Sequence, residues 1–147
     1  MLTAISGISF FTTGSIHAAT ITSAQTGNWE DTTTWNGGVV PGPLDSVVIV
    51  SGNVVTVNND DTVGHVTISS QFLETTRLHI NIGGTLTIEG DLHLESTDFD
   101  AIANVILRGT LNVNGDIRFD SGDDPLWADL NMRYDNSALT LGGSFDF

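Results

Sequence analysis

The chain contains no cysteine and no lysine. Without cysteine there is no disulfide framework, no iron–sulfur site and no thiol nucleophile. Without lysine, 4 arginines stand against 18 acidic residues, and the formal net charge is −14. Such a surface repels nucleic acid and anionic lipid, because no basic patch is available to neutralise phosphate. The acidity keeps a secreted protein soluble; it would also attract cations, of which Ca²⁺ prefers carboxylate and carbonyl oxygens. Strong helix formers are few. Valine, isoleucine, threonine and asparagine recur instead, with 16 glycines among 147 residues, a composition suited to strands. An apolar content of 39% is enough for a core, and the length suits one domain or a piece of a larger one.

Residues 1–19, "MLTAISGISFFTTGSIHAA", hold no acid, an apolar run through Phe11 and a small-residue end at Ala18 and Ala19. This reads as a secretory signal peptide, although no Lys or Arg precedes the run and His17 sits where a small residue is preferred. The run is too short and too polar for a transmembrane helix. The mature chain is therefore expected to start near Thr20, outside the cytoplasm.

Three stretches share one pattern: "GTLTIEGDLHL" from Gly84, "GTLNVNGDIRF" from Gly109 and "SALTLGGSFDF" from Ser137. Leu86, Leu111 and Leu139 coincide, as do Ile88, Val113 and Leu141; Leu92, Ile117 and Phe145; and Leu94, Phe119 and Phe147. A glycine interrupts the alternation each time, at Gly90, Gly115 and Gly143, with spacings of 25 and 28 residues. Upstream, Leu78, Ile80 and Ile82 alternate before the first unit and Ala103, Val105 and Leu107 before the second. Leu130, Met132 and Tyr134 do so before the third, one residue out of step. Each unit therefore reads as three short strands. A unit of this size cannot close its own core and must stack on copies of itself, each strand pairing in parallel with the strand above. An antiparallel sandwich does not require matched rows at this period.

The expected fold is all-β: a single-stranded, right-handed parallel β-helix of about four coils. The glycines are expected at bends, where an inward side chain would crowd the core or demand a backbone that only glycine reaches cheaply. Earlier coils are more degenerate. "DSVVIVSGNVVTV" places Val47, Ile49, Ser51, Asn53, Val55 and Val57 on one face, and "VGHVTIS" adds Val66 and Ile68. Residues 20–60 form a cap and first strands, and residues 61–147 the coils. Phe145 and Phe147 are expected to point inward at an uncapped last coil. Such an end implies either a longer protein or end-to-end self-association.

The stretch "GNWEDTTTWNGGVVPGPLDSVVIVSGNVVTV", residues 27–57, is the most specific. A tryptophan pair precedes Gly-Gly, a Pro-rich turn, Asp45 and two valine strands. It resembles the opening of large secreted bacterial surface proteins with β-helical bodies, autotransporter-like adhesins among them, and is similar to the start of the G8 domain. The resemblance covers residues 27 to about 94. It implies an extracellular β-helix that contacts glycans or cell-surface proteins; no catalytic residue matches. Trp29 and Trp35 are read as a cap over the first coil, with a sugar-stacking platform as the alternative. Asp45 is placed to bond backbone N–H groups before the valine strand.

Chemistry-bearing residues are few. His65, His79 and His93 alternate with apolar neighbours, point outward and lack paired metal-ligand spacing. No serine sits in a nucleophile turn. His93, Arg118 and Asp146 fall at equivalent outward positions, which predicts an Arg118–Asp146 pair. If Leu94 stacks on Phe119, then Glu95 lies over Asp120 and Asp98 over Asp123, with Asp100 and Asp124 nearby. These six acids form a candidate Ca²⁺ site, against solvated loops as the plain alternative. Outward threonine columns, Thr85, Thr110, Ala138 and Thr87, Asn112, Thr140, are too broken for an ice-binding face. The expected role is a non-enzymatic, structural or adhesive segment of a secreted cell-surface protein. The alternatives are the front of a β-helical polysaccharide lyase or hydrolase, and a self-assembling filament subunit.

Overall fold

The computed structural model describes residues 18–97, 100–121, 128–132 and 136–147. Of the leader read over residues 1–19, only Ala18 and Ala19 fall within them. The described chain enters with β1 (Thr20–Thr22) and β2 (Gly27–Asn28), then a 3-10 turn at Thr32–Thr34. Coils of three strands follow. The first is β3 (Ser46–Ile49), β4 (Val54–Val57) and β5 (Asp60–Val63); the second is β6 (His65–Ser70), β7 (Thr75–Ile80) and β8 (Thr85–Ile88). The third is β9 (Leu92–Ser96), β10 (Ile102–Leu107) and β11 (Thr110–Val113); the fourth is β12 (Ile117–Asp120), β13 (Ala128–Met132) and β14 (Ala138–Leu141). β15 (Phe145–Asp146) begins another.

The strands form three parallel sheets, ordered β1-β3-β6-β9-β12-β15, β2-β4-β7-β10-β13 and β5-β8-β11-β14. This is a β-solenoid of about five turns. The repeat predicts four; β1 and β2 supply the difference, because they already pair with β3 and β4.

The repeat rows meet in space. Leu111 lies in register with Leu86 and Leu139, Val113 with Ile88 and Leu141, and Ile117 with Leu92 and Phe145. Alternation puts every second residue into the tube, where Leu78, Ile80, Leu86, Ile88, Leu92, Leu94 and Leu111 are fully buried. Each such side chain contributes about 1.5–3 kcal/mol of transfer free energy. Trp29 and Trp35 join this core, edge to face at 4.9 Å.

Two rows depart from the expectation. Leu78 pairs with Val105 and Ile80 with Leu107, so Thr76, not Leu78, meets Ala103. Ile82 is not inward; it is 69% exposed in the turn between β7 and β8. That turn holds residues 81–84, with Gly83 at φ +87°, whereas residues 108–109 alone join β10 to β11. Turn length absorbs the offset, so a fixed 25-residue shift misaligns this sheet. The expected continuous row from Val47 to Val57 also breaks. Val47, Ile49, Val55 and Val57 are buried, but Ser51 and Asn53 belong to a turn around Gly52 at φ +82°. Tyr134 lies outside the described residues.

At the corner between the first and second sheets, Ser70 and Ser96 are in register and buried. Their hydroxyls donate to the carbonyls of Glu74 at 2.8 Å and Ala101 at 2.7 Å. Burying a hydroxyl is tolerated only with such a partner.

One inward position carries a charge. Asp61 pairs with Leu86, at the head of the leucine column. Its Oδ2 is buried without a hydrogen-bond partner. Burial, then the neighbouring Glu30 and Asp60, raise its pKa above the ordinary carboxylate value. A raised folded pKa means that the ionised form opposes folding at neutral pH, and that stability recovers as pH falls towards the ordinary value of 3.8. Asp61→Leu extends the apolar column and is expected to stabilise the fold by about 1 kcal/mol at pH 7. Asp61→Asn is expected to stabilise too, with an advantage that fades as pH drops below 4 or so. Urea melts at both pH values check the pair; an advantage independent of pH would contradict the assignment.

Candidate functional site

The most organised polar surface follows the corner between the third and first sheets. Here glycines stack: Gly90 N–H donates to the Gly64 carbonyl at 2.7 Å, Gly115 to Gly90 at 2.9 Å and Gly143 to Gly115 at 3.0 Å. The expected cause, crowding of the core or a left-handed backbone, is not what the geometry gives. None of the four has positive φ, and the obstruction lies one coil below. A Cβ on Gly115 would sit 2.7 Å from the carbonyl carbon and oxygen of Gly90, and one on Gly143 would sit 2.6 Å from the Gly115 oxygen. Successive coils approach at this corner more closely than a side chain allows.

The residue after each glycine holds the next coil. His65 Nδ1 accepts the Asp91 N–H at 3.0 Å, Asp91 Oδ1 accepts the Asp116 N–H at 2.9 Å, and Asp116 Oδ1 accepts the Ser144 N–H at 2.9 Å. The bond to Nδ1 places the proton of neutral His65 on Nε2. The Ser144 backbone bond, followed by its hydroxyl, holds the Asp116 carboxyl below the ordinary value. A depressed pKa makes this contact stabilising above the usual carboxylate range and weakens it as pH falls through the lowered value. Asp45 serves the first coil differently, accepting the Gly42 N–H at 2.8 Å and the Ala19 N–H at 2.9 Å.

Beside this ladder, the outward column of the first sheet runs Thr67, His93, Arg118, Asp146. Arg118 lies 3.8 Å from Asp146, the pairing expected from the repeat, and also 3.5 Å from Asp116 and 3.7 Å from Asp91. His93 Nε2 lies 3.1 Å from Asp120 Oδ2. These contacts are solvent-exposed, and each contributes under about 1 kcal/mol. His65, Thr67, Asp91, His93, Arg118 and Asp120 line a recess of about 230 Å³. A second, of about 540 Å³, adjoins it across His65, between Pro43, Leu44 and the glycines Gly64 and Gly90. The glycine column is not empty: the His65 ring lies against Gly90, and the carboxylates of Asp91 and Asp116 lie against Gly115 and Gly143.

Of the six acids expected to hold Ca²⁺, Asp98, Asp123 and Asp124 lie outside the described residues. Glu95 and Asp120 stack in register as expected. Asp100 sits in an exposed turn at φ +60°. Among the described residues, no three metal-ligating side chains converge. Trp29 and Trp35 are buried, with Trp35 Nε1 donating to the Trp29 carbonyl at 2.7 Å, so neither offers a ring face to a sugar.

Comparison with known proteins gives no match: no protein-family profile, no curated protein and no solved structure.

Proposed function

We propose that this chain is a non-enzymatic β-solenoid scaffold of a secreted cell-surface protein, and that it makes adhesive contact with glycans along the corner and flank of the first sheet. The observation that carries the reading is the recess at His65, His93, Arg118 and Asp120, which adjoins a second recess beside Leu44 across His65. Paired donors and acceptors fixed on neighbouring strands suit vicinal hydroxyl groups. In the adjoining recess the exposed Leu44 offers an apolar edge to a sugar ring. A net charge of −14 favours neutral saccharides over uronates or sulfated chains.

The test is binding to immobilised neutral and anionic oligosaccharides by the mature chain. We expect retention of neutral ones with weak affinity, at least tenfold weaker in His93→Ala/Arg118→Ala, with the melting temperature changed little. No retention at millimolar saccharide, or retention insensitive to the double substitution, would refute the contact surface.

A further inference from the structure

His65 is the odd member of the ladder that ties the coils at the glycine corner. Asp91 and Asp116 each offer a carboxylate oxygen to a backbone N–H one coil on, whereas His65 offers ring Nδ1 to the Asp91 N–H at 3.0 Å. The ring lies against Gly90, in the space a Cβ would take, and lines both recesses. Only a group with a free lone pair can hold a backbone N–H. A carboxylate keeps its lone pairs in neutral and mildly acidic solution. An imidazole takes up a proton between pH 8 and 5 and then carries N–H on both nitrogens.

We propose that His65 is a proton-operated latch between the second and third coils: the neutral ring holds the Asp91 N–H, and the protonated ring releases it. Two N–H groups would then face each other across 3.0 Å, and the ring must turn away. The charged groups around it are engaged elsewhere. Below it, the Asp45 carboxylate accepts the N–H groups of Gly42 and Ala19. Above it, the Asp91 carboxylate accepts the Asp116 N–H and faces Arg118 at 3.7 Å, while His93 is paired with Asp120. Glu89, on the wider recess, meets only the neutral Asn114 amide among the described contacts, at 2.9 Å. It is the carboxylate left to receive a cationic ring. The main-chain bonds from Gly90 N–H to the Gly64 carbonyl and from Val66 N–H to the Asp91 carbonyl do not depend on the imidazole. Release therefore loosens one corner without separating the coils. The ring also bounds the recess assigned above to glycans, but the latch stands whether or not a saccharide binds there.

Amide hydrogen exchange of the mature chain at about pH 7.5 and about pH 5.0, read as protection factors, tests it. Protection at Asp91 is expected to fall about fivefold at the lower pH, the effect of one lost hydrogen bond. Protection at Asp116, whose acceptor is a carboxylate, stays the same. His65→Asn supplies an oxygen acceptor that does not titrate and should abolish the fall. His93→Gln removes the other imidazole of the recess and should leave the fall intact. Unaltered melting curves at neutral pH show that both variants fold. Protection at Asp91 that is independent of pH overturns the proposal, as does a fall that persists in His65→Asn or vanishes in His93→Gln. Equal falls at Asp91 and Asp116 overturn it as well, because they mean general loosening and not release of one bond.

Discussion

Leu111→Ala lowers the unfolding free energy by about 3–4 kcal/mol, the cost of a buried leucine whose cavity cannot collapse. Leu111 is fully buried, with Leu86 in register below it and Leu139 above. In a compact domain, neighbours from several directions can lean into such a hole. Here the strands on either side are fixed by parallel ladders, and the leucines cannot move along the stack without breaking them. For a chain of this length the loss corresponds to a fall of roughly 6–14 °C in melting temperature. Leu139→Ala removes the same atoms from a half-buried site and should cost less than half as much. Denaturant melts of the two variants provide the comparison. Equal losses would mean that the fourth coil is as well covered as the third, contrary to this structure.

Repetition made most of the fold legible. Leu86, Leu111 and Leu139 recur with Ile88, Val113 and Leu141 because parallel strands in register must present like residues to one tube, and that requirement is written directly into the spacing. The Arg118–Asp146 pair followed from the same spacing. What spacing could not give was turn length. Ile82 continues an alternation that looks inward, but four residues bridge β7 to β8 where two bridge β10 to β11, and the strand phase slips by two. A two-residue slip preserves the face, so apolar periodicity does not register it.

The corner was harder to read for a different reason. Gly90, Gly115 and Gly143 were visible as a column, yet the force that selects them acts between coils and not within one. The residue that follows each, Asp91, Asp116 or Ser144, has its N–H tied to the coil below. In a sequence this is only a recurring Gly-Asp or Gly-Ser pair, a pattern that also marks ordinary turns. Gly64 and His65 belong to the same column, but histidine hides the motif because its ring nitrogen takes the place of a carboxylate oxygen. Asp61 was missed because acids near a polar loop, next to Asn58 and Asn59, look like solvent-facing residues. Register alone shows that it shares a column with Leu86.

Gly115→Ala is expected to cost about 2–3 kcal/mol, far more than the usual effect of one added methyl group, because the space is taken by backbone. Its Cβ would meet the Gly90 carbonyl carbon and oxygen at 2.7 Å and crowd Asp91 Oδ1, the atom that accepts the Asp116 N–H. Relief requires lifting this corner off the coil below, which strains the β8–β11 and β9–β12 ladders together. Gly90→Ala meets the His65 ring instead, and an exposed imidazole can rotate aside at the loss of one hydrogen bond to Asp91. We therefore expect Gly90→Ala to cost about 1 kcal/mol. The ordering separates obstruction between coils from a demand for glycine dihedrals, which would penalise both substitutions alike. Thermal melts of the two variants, with amide hydrogen exchange of Asp116 and Ser144, distinguish the cases. Faster exchange at Asp116 in Gly115→Ala alone is the outcome expected from a wedge between coils; equal losses in both variants would return the cause to the backbone of each glycine.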